Sequence, residues 1–127
     1  MYETKPIAIL FKKNTRYIID SSSNLITSSE NIVTDDFPNV FGENAEQDFI
    51  SFFNLLKKYN FPAKRIKNYY YFQIGRWDLQ LLNDQIIKFP VNNVTEVISQ
   101  SIELLNHIDF KKYSVIDLRV DGKIVVE

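Results

Sequence analysis

The chain holds one histidine and no cysteine among its 127 residues, and this narrows the chemistry open to it. Without cysteine there can be no disulfide, no thiol nucleophile and no thiolate zinc site. His107 would have to serve any Ser-His-Asp arrangement, yet no Gly-x-Ser-x-Gly elbow accompanies it. Its place near the end of a helical stretch better suits the negative end of a helix dipole. Gly42, Gly75 and Gly122 are scattered, so no glycine-rich loop is formed to cradle a phosphate. Carboxylates stand singly except for Asp35-Asp36. Distant acids can still form a catalytic pair in any fold, so a small enzyme with dispersed acidic residues remains an alternative. No spacing gathers ligands for a metal or cofactor, and none is expected.

The aromatic residues raise a second alternative. Tyr69-Tyr70-Tyr71-Phe72 follows Lys64, Arg65 and Lys67, a pattern that could stack bases and touch phosphates of a single-stranded nucleic acid. The charge opposes this reading. Lys and Arg number 15 against 16 Asp and Glu, a net charge of −1, whereas nucleic-acid modules carry a basic face. Trp77 beside Arg76 has the composition of a binding hot spot, but a core tryptophan explains it more simply.

The elements that position these residues follow from periodicity. A chain of this length fits one domain, and its 45% hydrophobic and 24% charged residues are ordinary globular values. No apolar run approaches the roughly 18 residues of a membrane span. Met1 followed at once by strand-like residues suggests a domain cut from a longer, targeted protein. Ile7–Phe11 and Arg16–Asp20 read as a strand pair, with Ser21–Asn24 turning back towards Leu25-Ile26. Thr27–Asp36 reads as an irregular polar loop. A helix begins after Asn44, an N-cap residue, with acids in its first turn and Lys57-Lys58 in its last. It ends before Pro62. Lys64–Ile74, Arg76–Leu82 and Gln85–Phe89 alternate as an antiparallel meander. A second helix runs from Asn92 or Asn93 to about His107, with Val94, Ile98, Ser101, Ile102, Leu105 and Ile108 on its inner stripe. The residues expected in the core are Phe49, Phe53 and Leu56 of the first helix and Ile98, Ile102 and Leu105 of the second. The fold class is α+β: a mainly antiparallel sheet, two amphipathic helices packed against it, and a C-terminal β-hairpin.

That hairpin is the feature with most functional content. With Asp121-Gly122 as a two-residue turn, Val120 pairs with Lys123, Arg119 with Ile124, and Leu118 with Val125. Ile116, Leu118, Val120 and Val125 then share the helix face, while Ile124 and Val126 join Asp117 and Arg119 on the other. A last strand with apolar residues on both faces and only Lys123 and Glu127 charged is a poorly guarded edge. Either the strand is not an edge at all, or further chain covers it, or, on the functional reading, it accepts a partner strand by β-augmentation.

Several stretches resemble the periplasmic β domain of the FtsQ (DivIB) family of bacterial division proteins. They are Lys5-Pro6-Ile7-Ala8-Ile9, Tyr17-Ile18-Ile19-Asp20, Phe37-Pro38 with Phe41-Gly42-Glu43-Asn44-Ala45, Gly75-Arg76-Trp77-Asp78-Leu79-Gln80-Leu81, Phe89-Pro90, and Ile116-Asp117-Leu118-Arg119. Their order covers essentially the whole chain. The resemblance implies a single β domain over residues 1–127, its first residues being the tail of a missing POTRA domain. It further implies a non-enzymatic divisome module of an inner-membrane protein, with this domain in the periplasm. Its partners would be FtsB and, through it, FtsL, in a complex that regulates septal peptidoglycan synthesis. Family contacts with FtsB use the last strand, which transfers here to Arg119, Val120, Gly122, Lys123, Ile124 and Val126. Val120 stands where a tyrosine can occur in the family, so an aromatic anchor is missing.

Overall fold

The computed structural model describes residues 6–22, 24–27, 37–120 and 122–127, apart from the side chains of Ile26, Thr27 and Ile108. The opening residues, the loop beyond Thr27 and the turn residue Asp121 lie outside these. In chain order the elements are β1 (Pro6–Lys12), β2 (Thr15–Asp20), β3 (Leu25–Thr27), β4 (Asn39–Phe41), α1 (Ala45–Lys58), β5 (Ile66–Phe72), β6 (Arg76–Leu81), β7 (Ile86–Lys88), α2 (Val94–Leu105), β8 (Val115–Asp117) and β9 (Val125–Val126). Short 3-10 turns occupy Ala63–Arg65 and Ile108–Lys112.

Among the described residues the strands form one sheet in the order β3-β2-β1-β4-β5-β6-β7-β8-β9. The α+β class holds, but the sheet is mixed. Five neighbouring pairs are antiparallel and three, β1–β4, β4–β5 and β7–β8, are parallel. The last two follow from the helices, because parallel neighbours need a long crossover and α1 and α2 supply it. As a result β1, β4, β5, β7 and β8 all point one way. The turns that follow them, and the N-termini of both helices, gather at one end of the sheet.

Alternation decides what each face carries. Ala8, Leu10, Ile19, Val40, Tyr69, Trp77, Leu79, Leu81, Ile87 and Ile116 point to one face and form a buried cluster with Phe49, Phe52 and Leu56 of α1 and Ile98, Leu104 and Leu105 of α2. Among the described residues the opposite face has no helix. It carries a stacked row, Phe11 on Phe41 at 5.0 Å and Phe41 on Tyr70 at 5.4 Å. Beside that row Asn39, Asn68 and Gln80 are linked by amide hydrogen bonds.

The helices depart from the sequence reading in three ways. Phe53 and Ile102 are only half-buried against the core, while Phe52, Leu104 and Ser101 are buried in their vicinity. The contact line of α1 runs through Ala45, Phe49, Phe52 and Leu56, which leaves Phe53 on its shoulder. Neither helix is capped by a side chain; Asn44 and Asn93 instead adopt left-handed φ values of 64° and 59°, a region that asparagine tolerates better than most residues. Finally, α2 stops at Leu105, and His107 precedes the 3-10 turn. Gly42 is conformationally required: at φ 125° a Cβ there would meet the Tyr71 carbonyl oxygen at 2.3 Å.

Burial predicts the mutational response. Phe52→Ala is expected to cost about 3–5 kcal/mol, as large core truncations do, and Phe53→Ala clearly less. Urea melts of the two variants check this. Equal losses would mean that α1 is rotated from this placement.

Candidate protein-binding edge

β9 ends the sheet, and the local chain explains its register. The Val115 and Glu127 backbones exchange hydrogen bonds, Glu127 N–H to Val115 C=O at 3.0 Å and Val115 N–H to Glu127 C=O at 3.3 Å. Asp117 is therefore the next bonded partner, opposite Val125, and Ile116 lies opposite Val126 in the non-bonded pair. This register is one residue away from the Leu118–Val125 pairing read from the sequence. The turn itself closes as read, with Lys123 N–H donating to Val120 C=O at 3.1 Å and Gly122 at φ 73°. The extra residue is absorbed before the turn. The Asp117 carboxylate accepts the Arg119 backbone N–H at 3.0 Å, and Leu118 N–H reaches back to Lys88 C=O at 3.0 Å. This aspartate-centred bend ends β8 at Asp117, short of the expected Val120.

A slip of one residue exchanges the faces of a strand. Val126 lies beside Ile116 and packs on the core, whereas Val125 lies beside Asp117 and is exposed. Both placements reverse the sequence reading. The direction of the backbone groups survives, because Val125 and Glu127 still bond inward and the polar groups of Val126 still point off the edge.

The six residues named from the sequence fall together but not alike. Val120, at 51% exposure, and Ile124, at 39%, are bare aliphatics; Gly122 and Lys123 are exposed in the turn; Val126 is half-buried. Arg119 is clamped by Asp117, with Nε to Oδ1 at 2.9 Å and Nη2 to Oδ2 at 2.6 Å. This fork holds the Asp117 carboxyl below the usual carboxylate range and pushes the guanidinium up. Asp117 also faces Lys88, which faces Asp78. Burial raises the Asp78 carboxyl, against the pull of Arg76, Lys88 and Arg119. Arg76 Nε stands 3.5 Å from Asp78 Oδ1 without a hydrogen bond, and its guanidinium lies over Phe72 at 4.2 Å.

Sequence reasoning missed the neighbouring groove. A hollow of about 620 Å³ at the strand-end side of the sheet is lined by Ile74, Arg76, Val91, Val97, Leu118 and Val120, among others. Ile74, 70% exposed in the β5–β6 turn, and the exposed Val91 join Val120 around it. The available signal was an aliphatic residue placed in each of three turns that converge.

The other candidates lose ground. Tyr69 is fully buried and Tyr71 is half-buried with its hydroxyl donated to Asp48, so neither presents a face to a base. His107 is exposed, 3.8 Å from Asp109. Among the described residues no group of three His, Cys, Asp or Glu is placed to hold a metal ion, and no helix is long and apolar enough to cross a membrane.

The fold is that of an extracytoplasmic α+β domain of bacterial division proteins. The major extracytoplasmic domain of the trans isomer of the cell division protein DivIB from Geobacillus stearothermophilus superposes with a TM-score of 0.57 at 12% identity, covering 84% of this chain and 96% of that one. The chain belongs to the FtsQ/DivIB family: the model for the C-terminal part of cell division protein FtsQ/DivIB matches residues 8–119. No curated protein is matched in sequence.

The clamp has a titration signature. A carboxyl with a lowered native pKa contributes stability above its ordinary value of about 3.9, and loses it as pH falls through the lowered value. Asp117 is expected to titrate below the ordinary aspartate value of about 3.9 in a carbon-13 shift titration, and Arg119→Gln to move it upward. An unmoved Asp117 would show that the fork does not persist in solution.

Proposed function

We propose that this chain is a non-catalytic binding module of the division machinery, and that FtsB, with FtsL behind it, docks on it by adding a strand beside β9. On this reading the domain lies in the periplasm of an inner-membrane protein and helps regulate septal peptidoglycan synthesis. The observation that carries it is the end of the sheet: among the described residues β9 is a terminal strand whose Val126 backbone groups point outward, flanked by exposed Val120, Ile124 and Val125. Family membership supports division as the setting, and the resemblance supplies the partner. A strand added there would be bonded to β9 and would run past the groove and Arg119.

Proline tests the edge, because it removes an N–H and is tolerated in a sheet only where the ladder does not use it. Val126→Pro is expected to leave the melt nearly unchanged apart from some lost packing. It deprives a partner carbonyl of its donor, a loss of about 0.5–1.5 kcal/mol for the bond and about 1–3 more for the buried unpaired oxygen. FtsB affinity should therefore fall about tenfold or more. Val125→Pro removes the N–H facing Asp117 and should lower the melting temperature instead. If Val126→Pro binds FtsB as tightly as the parent, strand addition at this edge is wrong.

A further inference from the structure

The proposed docking edge raises the question of what holds Arg119 ready, since it lies two residues past the end of β8 and its side chain reaches solvent. A long arginine on an exposed segment has many rotamers, and ordering it on binding is costly. Here the cost is met in the free chain. Asp117 takes Nε and one Nη2 hydrogen through its two oxygens, and takes the Arg119 backbone N–H through Oδ1 as well. Three contacts from one carboxylate fix both the bend of the chain and the plane of the guanidinium. Asp117 is itself placed by the sheet: it is paired with Lys88 of β7 on one side and Val125 of β9 on the other. An arginine fork has five N–H donors. With one edge engaged, Nη1 and the second Nη2 hydrogen remain for an outside acceptor.

We infer that Asp117 is the positioning residue of the partner-binding edge, holding the free edge of Arg119 at the lip of the groove so that an oxygen acceptor of the docking strand is met without ordering the side chain. This rests on the reading that the edge binds a partner, and it adds a role for a residue that need not touch that partner. Two roles of Asp117 can be separated by chemistry. Asparagine keeps an oxygen to accept the Arg119 N–H, so the bend and the register survive, but it loses the charge and places an NH2 where the second fork oxygen stood. Alanine loses both.

The test is a double-mutant cycle read by calorimetric titration with the periplasmic segment of FtsB, using the parent, Asp117→Asn, Arg119→Gln and the double variant. Asp117→Asn should weaken binding about fivefold, the order expected for freezing one long side chain, with the loss appearing in the entropy and the thermal melt falling only by the small contribution of an exposed ion pair. In the Arg119→Gln background the same change should alter affinity by less than about twofold, because nothing is left to position. Asp117→Ala should lower the melt as well, which marks the structural part of the role. Equal weakening by Asp117→Asn in both backgrounds would mean that Asp117 acts on its own account and overturn the inference. So would parent-like binding by Asp117→Asn alongside weak binding by Arg119→Gln. Parent-like binding by Arg119→Gln would remove Arg119 from the interface and the inference with it. Failure of the parent chain to bind FtsB would instead overturn the proposed function.

Discussion

The packing of aromatic rings between α1 and the middle of the sheet is the interaction on which the rest depends. Phe52 lies flat on Trp77 at 5.3 Å and meets Phe89 edge-on at 5.8 Å, while Phe49 meets Tyr69 edge-on at 5.0 Å. Such pairs add about 0.5–1.5 kcal/mol each beyond the area they bury. The rings come from α1, β5, β6 and the residue after β7, so one cluster ties a crossover helix to consecutive strands. Tyr69 pays a local cost for its place, since its hydroxyl finds no hydrogen-bond partner among the described residues and burial pushes it well above its ordinary pKa. The apolar contacts of the ring outweigh one orphaned hydroxyl.

From that centre, order passes outward by pairing. β6 fixes β7, β7 fixes β8 in parallel, and β8 fixes β9. Leu118, buried on the helix face, and its N–H bond to Lys88 C=O carry the connection just past the end of β8. The candidate edge is thus the last link in a chain of pairings that starts at the aromatic core. Its own strand is short, but its neighbours are well anchored.

Much of this was legible in the sequence. The stripes of α1 and α2 and the alternation of β5 and β6 signalled elements correctly, because burial of a repeating face is what periodicity records. Trp77 was read as a core residue and is one. The parallel pairings were not legible, since the hydrophobic pattern of a strand does not record which way its neighbour runs. The hairpin register was misread for a more specific reason. Asp121-Gly122 identifies the turn, but the register depends on a side-chain bond, Asp117 to the Arg119 N–H, that consumes a residue without any hydrophobic signature. The groove was missed because Ile74, Val91 and Val120 are isolated in sequence and meet only through the common direction of β5, β7 and β8.

The brevity of β9 limits how a partner could be held. Two residues in a ladder offer an incoming strand few main-chain bonds, and at about 0.5–1.5 kcal/mol each these fall well short of the roughly 8 kcal/mol of a micromolar complex. A generic β-strand would therefore gain little by adding itself here, which guards an otherwise exposed edge against indiscriminate pairing. The difference must come from side chains, and those within reach are the aliphatics around the groove and the clamped arginine. In this fold the backbone would set where and in which direction a partner lies, and the turn residues at the end of the sheet would decide which partner it is.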